Sequence, residues 1–299
     1  MSVVLITGAS SGFGNLSART LASAGHRVFA GVRDPADRGA AEAAALRAWS
    51  VETGADVQVL PLDVTQPDSV AAAMSVVIAA AGRMDVLYNN AGVAAAGLME
   101  TFSAEAVQRM FDVNVLGPER MLRAALPHLR AAGGGLVIQM SSTDGREVMP
   151  FLGIYNATKF AVEALSDAWR YELAAFGVEV SILQPGTFPT TSILKNCAPP
   201  DNAGVAPAYG DLARAPDGLF AALQQMVASG QAPDPQMVAD AVLALVNAAP
   251  GTRPHRVVID PSGFDGAARV NAVSAQVQAD LLGRFGLGFL NRSPAAGQG

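Results

Sequence analysis

Tyr155 and Lys159 stand four positions apart in Tyr155-Asn156-Ala157-Thr158-Lys159, where a long helical pattern opens. On a helix that spacing puts both side chains on one face, one turn apart. A free phenol titrates near ~10, too high for efficient acid–base work at neutral pH. A nearby ammonium stabilises phenolate and lowers that value. The pair therefore suits proton exchange with a carbonyl or alcohol oxygen, although an ordinary surface helix pair has the same spacing. Ser142 lies thirteen residues before Tyr155, at the end of a strand pattern, and a loop of that length can bring its hydroxyl to the helix start. Asn114 sits inside the apolar helical stretch Phe111-Asp112-Val113-Asn114-Val115. A buried amide there needs partners; the plainer role is to distort the helix.

A second group of residues suits a dinucleotide. Thr7-Gly8-Ala9-Ser10-Ser11-Gly12-Phe13-Gly14 follows the first strand pattern directly and runs into a helix. Its glycines allow tight backbone angles and close approach of a pyrophosphate, and the helix N-terminus offers free N–H groups to the anion. The spacing is GxxxGxG, wider than the GxGxxG of many dinucleotide folds. At the end of the second strand an acid would bind the ribose hydroxyls of NAD. Here Val32 takes that place and Arg33 follows. A guanidinium suits the extra phosphate of NADP, so NADP(H) is expected over NAD(H); the alternative is a local Arg33–Asp34 pair. After the third strand, Asp63 can accept from an adenine amino group while Val64 covers the ring, or Asp63 can cap the next helix. Asn89-Asn90-Ala91-Gly92 ends the fourth strand, with Asn side chains placed to tie strand ends together and Gly92 to pack beside the cofactor.

These groups need a scaffold. Strand patterns occupy 3–6, 27–32, 57–60, 86–88, 136–140, 178–183 and 256–259, most of them nearly continuous apolar runs. Such runs fit strands buried on both faces. The segments between them are long enough for crossover helices. The expected fold is α/β: a Rossmann-like, doubly wound sheet of about seven parallel strands in a three-layer α/β/α arrangement. Residues 1–299 read as one domain. A substrate lid is expected over 188–235, rich in Pro and Gly at both ends with a helical centre at 219–227. A C-terminal extension over 268–299 carries Val270, Val273, Val277 and Leu281 at helical spacing, then a Gly-rich end, with 293–299 frayed.

Bulk properties narrow the field. Of 299 residues, 51% are hydrophobic and 15% charged, enough for a large core and too apolar for disorder. The net charge of −6 and the lack of a basic stripe disfavour nucleic acid and anionic membranes. Cys197 is the single cysteine and has no Cys or His neighbour for a disulfide or metal site. His26, His128 and His255 are scattered and read as structural or surface residues. The first strand starts too early for a signal peptide, and no run is long enough to span a bilayer. A cytoplasmic protein with no bound metal is expected.

Taken together, TGASSGFG, Asp63-Val64, NNAG, Asn114, Ser142, YNATK and Pro185-Gly186, in this order over about residues 1–190, resemble the short-chain dehydrogenase/reductase family. The resemblance implies an Asn-Ser-Tyr-Lys tetrad. Tyr155 is then the proton donor or acceptor, Ser142 positions the substrate oxygen, Lys159 binds the nicotinamide ribose and lowers the tyrosine pKa, and Asn114 holds a water of the proton relay. It also implies that Gly8, Ser10, Ser11, Gly12, Phe13 and Gly14 hold the pyrophosphate. Asn90, Ala91, Gly92, Pro185, Gly186, Thr187 and Thr190 complete the cofactor site, with Thr190 at the carboxamide. The Phe-Gly loop ending, the Arg33 region and the long tail look like bacterial relatives of retinol and 17β-hydroxysteroid dehydrogenases. Thr158 stands where Ser is more usual, and the polar run 143–147 makes the pocket mouth less greasy than in steroid enzymes. The implied activity is hydride transfer between NADP(H) and a hydrophobic carbonyl compound or alcohol, in a homodimer or homotetramer paired through the two long helices. Reduction of a 3-oxoacyl thioester is a second enzyme reading, and a non-catalytic NADP-binding regulator is a third, disfavoured by the complete tetrad.

Overall fold

The computed structural model describes residues 1–191 and 197–291. The lid side chains Ile193, Leu194 and Lys195 and the terminal stretch 293–299 lie outside the described residues. All seven strand patterns form strands: β1 (Val3–Ile6), β2 (Arg27–Val32), β3 (Val57–Pro61), β4 (Val86–Asn89), β5 (Gly135–Met140), β6 (Val178–Pro185) and β7 (Arg256–Ile259). They pair in parallel in the order β3-β2-β1-β4-β5-β6-β7. Side chains alternate across a strand, and β1 shows the consequence. Val3 and Leu5 enter one core, which holds α3 (Pro67–Ala81), α5 (Gly117–Ala131) and the end of α6 (Gly153–Leu173). Val4 and Ile6 enter the other, with α1 (Gly12–Ser23), α2 (Ala40–Thr53) and α8 (Gln236–Asn247). Both faces of the sheet are covered, which is why the strand sequences are apolar without alternation.

β1 lies between β2 and β4, so the chain leaves it toward opposite sides of the sheet. The crevice beyond the C-terminal ends of such strands is where ligands bind in open α/β sheets. β6 runs two residues further than its apolar pattern. Gln184, fully buried, donates to Glu163 Oε1 at 2.8 Å and accepts from Asn271 Nδ2 at 2.6 Å, so its polar groups are met inside the core.

The helix expected through Asn114 is interrupted. α4 (Ala104–Phe111) leads into a π-type turn, Asp112–Leu116, before α5 begins at Gly117-Pro118. Pro118 has no N–H to extend a regular ladder, and Arg120 holds the turn through Asp112 Oδ1 at 2.6 Å. Widened turns of this kind are frequent at functional sites.

Between β6 and β7 the predicted helical centre appears as α7 (Ala215–Ala228), preceded by 3-10 turns over Ala203–Arg214. This segment is pinned to the start of α4. Ala198 N–H donates to Ala94 O, Asp201 accepts from Ser103 N–H and Oγ and from Arg109, and Tyr209 donates to Glu100. α9 (Gly266–Arg284) carries the tail. Ala267 and Leu282 turn inward, while Val270, Val273, Val277 and Leu281 face outward, so the predicted apolar stripe does not cover the core. No helix among the described residues is long and apolar enough to cross a membrane.

Candidate active site

The glycine loop is shaped by close approach. A Cβ on Gly8, whose φ is +66°, would lie 2.8 Å from the Cα of Ala91. One on Gly14 would strike Asn90 and the Gly8 carbonyl, so Gly14 closes the loop from behind instead of lining the cleft. Gly12 has φ +54°, and a Cβ there would meet Thr191 in ordinary contact at 3.8 Å. Ser11, the N-cap of α1, uses no side-chain bond to cover the first turn. The bare N-terminus of α1 therefore faces the crevice, and this cradle fits the phosphates of a dinucleotide. Asn90 fixes the loop as its residue type predicts: its Nδ2 donates to the carbonyls of Thr7 and Gly8, both at 3.0 Å, while Thr7 Oγ1 accepts from Asn90 and Ala91 N–H groups.

A cleft of about 750 Å³ runs from this loop to the catalytic group. Gly8, Ser10, Ser11, Gly12 and Phe13 form one wall; Asn90, Ala91 and Gly92 form the floor; Pro185 and Gly186 stand beyond. Arg33, Asp63 and Val64 lie at the far end. Asp63 does both things its sequence context allows, since it lines the cleft and its Oδ1 accepts from Thr65 N–H at 2.9 Å and Thr65 Oγ1 at 2.7 Å. Arg33 is exposed and makes no pair with Asp34. Asp34, in a left-handed turn (φ +48°), bonds Arg38 instead at 2.7 Å. That turn brings Arg38 and Glu42 to the cleft, two residues that inspection of the strand end alone does not find. Thr187 and Thr190 are exposed and off the cleft; Thr191 is the threonine on its wall.

At the other end Ser142, Tyr155 and Lys159 meet on the cleft. Ser142 Oγ donates to Pro185 O at 3.3 Å and accepts from Asp144 N–H at 3.1 Å. Lys159 Nζ lies 5.5 Å from the Tyr155 ring centre and donates to Met140 O at 2.9 Å. Asn114 is not on the cleft wall. Its Oδ1 accepts from Val93 N–H, and its Nδ2 donates to Val93 O and to Thr158 Oγ1 at 3.0 Å. Thr158, the departure from the usual Ser, thus has a defined use: it joins Asn114 to the helix turn of Tyr155, whose carbonyl accepts its hydroxyl at 2.7 Å.

Burial dominates the electrostatics. It pulls Lys159 down to about 8 against the opposing charges of Glu163 and Asp144. It pushes Tyr155 above the ordinary phenol range, and Asp144 adds to the rise while Ser142 eases it. The lowering of the phenol by Lys159, implied by the family resemblance, is not the prevailing influence here; desolvation of the phenolate is. Asp144 itself is pushed up to about 6 by burial and by Glu147, against the pull of Lys159.

An acid whose pKa rises on folding destabilises the fold once it ionises. The loss develops from about pH 4 and is complete above about pH 6. A rise of this size is worth at most about 3 kcal/mol. Asp144→Asn should therefore melt higher than the parent at pH 7.5 and match it near pH 4. Equal melting temperatures at pH 7.5 would refute this account of Asp144.

One turn beyond Lys159, Glu163 is buried among two guanidinium groups, Arg256 Nε at 2.9 Å and Arg146 Nη2 at 3.3 Å. Removing one partner of such a buried pair typically costs ~3–5 kcal/mol. Burial works against Asp167, yet His255 and Arg256 hold it down to about 2. His26 bonds Ser2 and Asn247. Both histidines are structural, as their isolation in the sequence predicts.

A family model described as short chain dehydrogenase matches residues 2–201, and the chain belongs to the short-chain dehydrogenase/reductase family. It is 39% identical over 188 residues to a 3-ketodihydrosphingosine reductase of Bacteroides thetaiotaomicron, covering 63% of this chain and 64% of that one. It is 40% identical over 206 residues to human 17-beta-hydroxysteroid dehydrogenase type 1, covering 67% and 60%. The chain thus spans about three-fifths of the length of these relatives. A short-chain dehydrogenase from Streptomyces avermitilis overlays with a TM-score of 0.74 at 30% identity over 94% of both chains. A metagenomic short-chain oxidoreductase solved with NADP overlays with a TM-score of 0.67 at 28% identity, covering 87% and 97%.

Proposed function

We propose that the protein is an NADP(H)-dependent oxidoreductase that interconverts a hydrophobic ketone or aldehyde and its alcohol. The observation that carries this reading is the single cleft that joins the bare α1 N-terminus and Arg33 to Ser142, Tyr155 and Lys159. The nicotinamide, when bound, supplies or takes up the hydride. The chain does the rest. The α1 N-terminus holds the pyrophosphate, Asp63 and Val64 meet the adenine, and Arg33 meets the ribose phosphate. Lys159 holds the nicotinamide ribose and Thr191 serves the carboxamide end, where the family pattern points to Thr190. In reduction Tyr155 would give its proton to the carbonyl oxygen as the carbonyl carbon is reduced, yielding the alcohol. Ser142 orients that oxygen, and Tyr155 recovers a proton from solvent through a water near Asn114. In oxidation the same steps reverse. Orientation and a placed proton are what a protein adds to cofactor chemistry.

Val93, Ala94, Val113, Met140 and Phe188 give the cleft apolar walls. Phe188 packs edge-on to Phe13 with ring centres 5.5 Å apart, so it shapes the wall from the core side. Between residues 197–220 and residues 96–101 lies a second cavity of about 310 Å³, lined by small and apolar residues including Ala96, Leu98, Pro199, Pro200 and Phe220. Such linings favour apolar ligands, and the names of the two relatives fit that class. With NADPH, aryl and cyclic ketones and steroids should give higher kcat/KM than sugars or 3-oxoacyl thioesters. A sugar or thioester at the head of that panel would overturn the substrate reading and leave the tetrad intact. The same reading makes the protein a homodimer or homotetramer joined on α5 and α6, where Leu116, Phe160 and Leu165 are exposed near the helix starts and along α6. Light scattering at micromolar concentration should show twice or four times the chain mass, and a monomer would reject this assembly.

A further inference from the structure

α9 is anchored on one face and bare on another. Ala267 and Leu282 are buried against the body of the protein. Asn271, on the same side, accepts from Arg146 Nε at 2.9 Å and donates to Gln184 Oε1 at 2.6 Å. About a quarter-turn away, Val270, Val273, Val277, Leu281 and Phe285 follow one another at spacings of three and four residues. All five are exposed, Val273 by 66%, Val277 by 61% and Phe285 by 67%. Phe264, just before the helix, is exposed too. Apolar side chains at this spacing form one strip along a helix, and a strip left open on a protein surface marks a contact. The charges beside it are ordered as well. Arg269 and Asp280 are eleven residues apart, close to three full turns, so they lie in a row along one edge of the strip. Asp265 stands at the start of the helix and Arg284 at its end. Within the chain Arg269 Nε meets Asp265 at 3.4 Å with both side chains exposed, and Arg284 has no ion pair among the described residues.

We infer that this strip is a contact surface for a second copy of the chain, with the two α9 helices antiparallel about a two-fold axis that crosses between Ser274 and Ala275. A two-fold axis makes the contact self-complementary, so each edge of one helix lies beside the same edge of the other. With the axis at that point, Asp265 stands opposite Arg284 of the second copy and Arg269 opposite its Asp280, and symmetry repeats both pairs. Phe264 stands opposite Phe285 of the second copy. Val273 comes within one residue of its Val277, and Val270 within two of its Leu281, offsets of at most about 3 Å along the helix. Side chains of packed helices interdigitate over such offsets. The charges also exclude the neighbouring registers. Sliding one helix by four residues, about one turn, sets Arg269 opposite Arg284 in one direction and Asp265 opposite Asp280 in the other. Like charges placed face to face select against both alternatives. A lipid surface would be met by a basic edge, whereas this edge carries one acid for each base. The contact is separate from α5 and α6 and does not depend on the reaction proposed above.

The test is the mass of the full chain in solution, read by light scattering at micromolar concentration. Val273→Glu/Val277→Glu should halve the parent mass: tetramer to dimer where α5 and α6 also pair, dimer to monomer where they do not. Both side chains are exposed, so the melting temperature should stay that of the parent. Arg269→Asp places an acid opposite Asp280 of the second copy, and Asp280→Arg places a base opposite its Arg269. Each should raise the dissociation constant, read by sedimentation at low salt, by about tenfold or more. Arg269→Asp/Asp280→Arg exchanges the two charges and should restore association to within about threefold of the parent, the coupling expected of groups in contact. A parent mass that Val273→Glu/Val277→Glu leaves unchanged overturns the inference. A double charge variant that dissociates as readily as the single ones overturns the antiparallel pairing. Parent that floats with vesicles of phosphatidylcholine and phosphatidylserine, loses this in Val273→Glu/Val277→Glu and keeps its mass in solution would assign the strip to a membrane surface instead.

Discussion

Tyr155→Phe should lose between about 10² and 10⁴ of the turnover, the usual contribution of a placed general acid or base. The ring stays, and with it the packing against Ile154, Ala95 and Phe102; only the hydroxyl is removed. Melting temperature and NADPH affinity should therefore remain close to those of the parent, and the loss should fall on kcat. The neighbouring lysine gives a separate signature. Lys159 titrates at about 8 because burial opposes its charge. It is an ammonium below that value and a neutral amine above it. NADPH affinity, read from the fluorescence of the bound nucleotide, should fall as pH rises through about 8, and Lys159→Met should flatten that profile while weakening binding throughout. Near-normal turnover by Tyr155→Phe would remove the proton-transfer role from the phenol. A pH profile of binding that Lys159→Met leaves unchanged would show that the ammonium does not hold the cofactor.

The parts of this site that were legible in the sequence are those fixed by local pattern. The seven strands are apolar because both faces of the sheet are covered, and a run such as Val3–Ile6 shows this without any knowledge of its partners. The Tyr155–Lys159 pair needs only helical spacing. What stayed hidden depends on contacts distant in sequence. Asn114 sits in the widened turn with its amide held by Val93 and Thr158, 21 and 44 residues away. Arg38 reaches the cleft because Asp34 adopts a left-handed turn, which its sequence permits but does not announce. Thr191 and not Thr190 lies on the cleft wall, and its hydroxyl donates to the Phe188 carbonyl at 2.9 Å. The α9 stripe has helical spacing, and spacing alone does not say which way an apolar face turns.

Parent enzyme should show higher kcat/KM with NADPH than with NADH, and Arg33→Asp should reverse the order. Val32 ends β2 where an acid would bind ribose hydroxyls, and Arg33 follows on the cleft, exposed and without a partner among the described residues. Asp34 is already held by Arg38 at 2.7 Å and so does not neutralise Arg33. A guanidinium on a phosphate makes charge-assisted, often bidentate bonds worth about 1.5–3 kcal/mol, or roughly 10- to 100-fold in affinity. Placing a carboxylate there removes those bonds, repels the phosphate and offers an acceptor to the free ribose hydroxyls of NADH. The NADPH-to-NADH ratio should therefore swing by about 100-fold or more. Arg38→Ala should lower the ratio in the same direction by less. Its pair with Asp34 is exposed and weak, so Arg38 can turn to the phosphate, but part of its charge is already answered by Asp34. Unchanged kcat with saturating cofactor would place both effects on binding. A parent enzyme that favours NADH, or an Arg33→Asp variant whose ratio does not move, would show that the phosphate is recognised elsewhere and that Arg33 is only a surface charge at the end of the sheet.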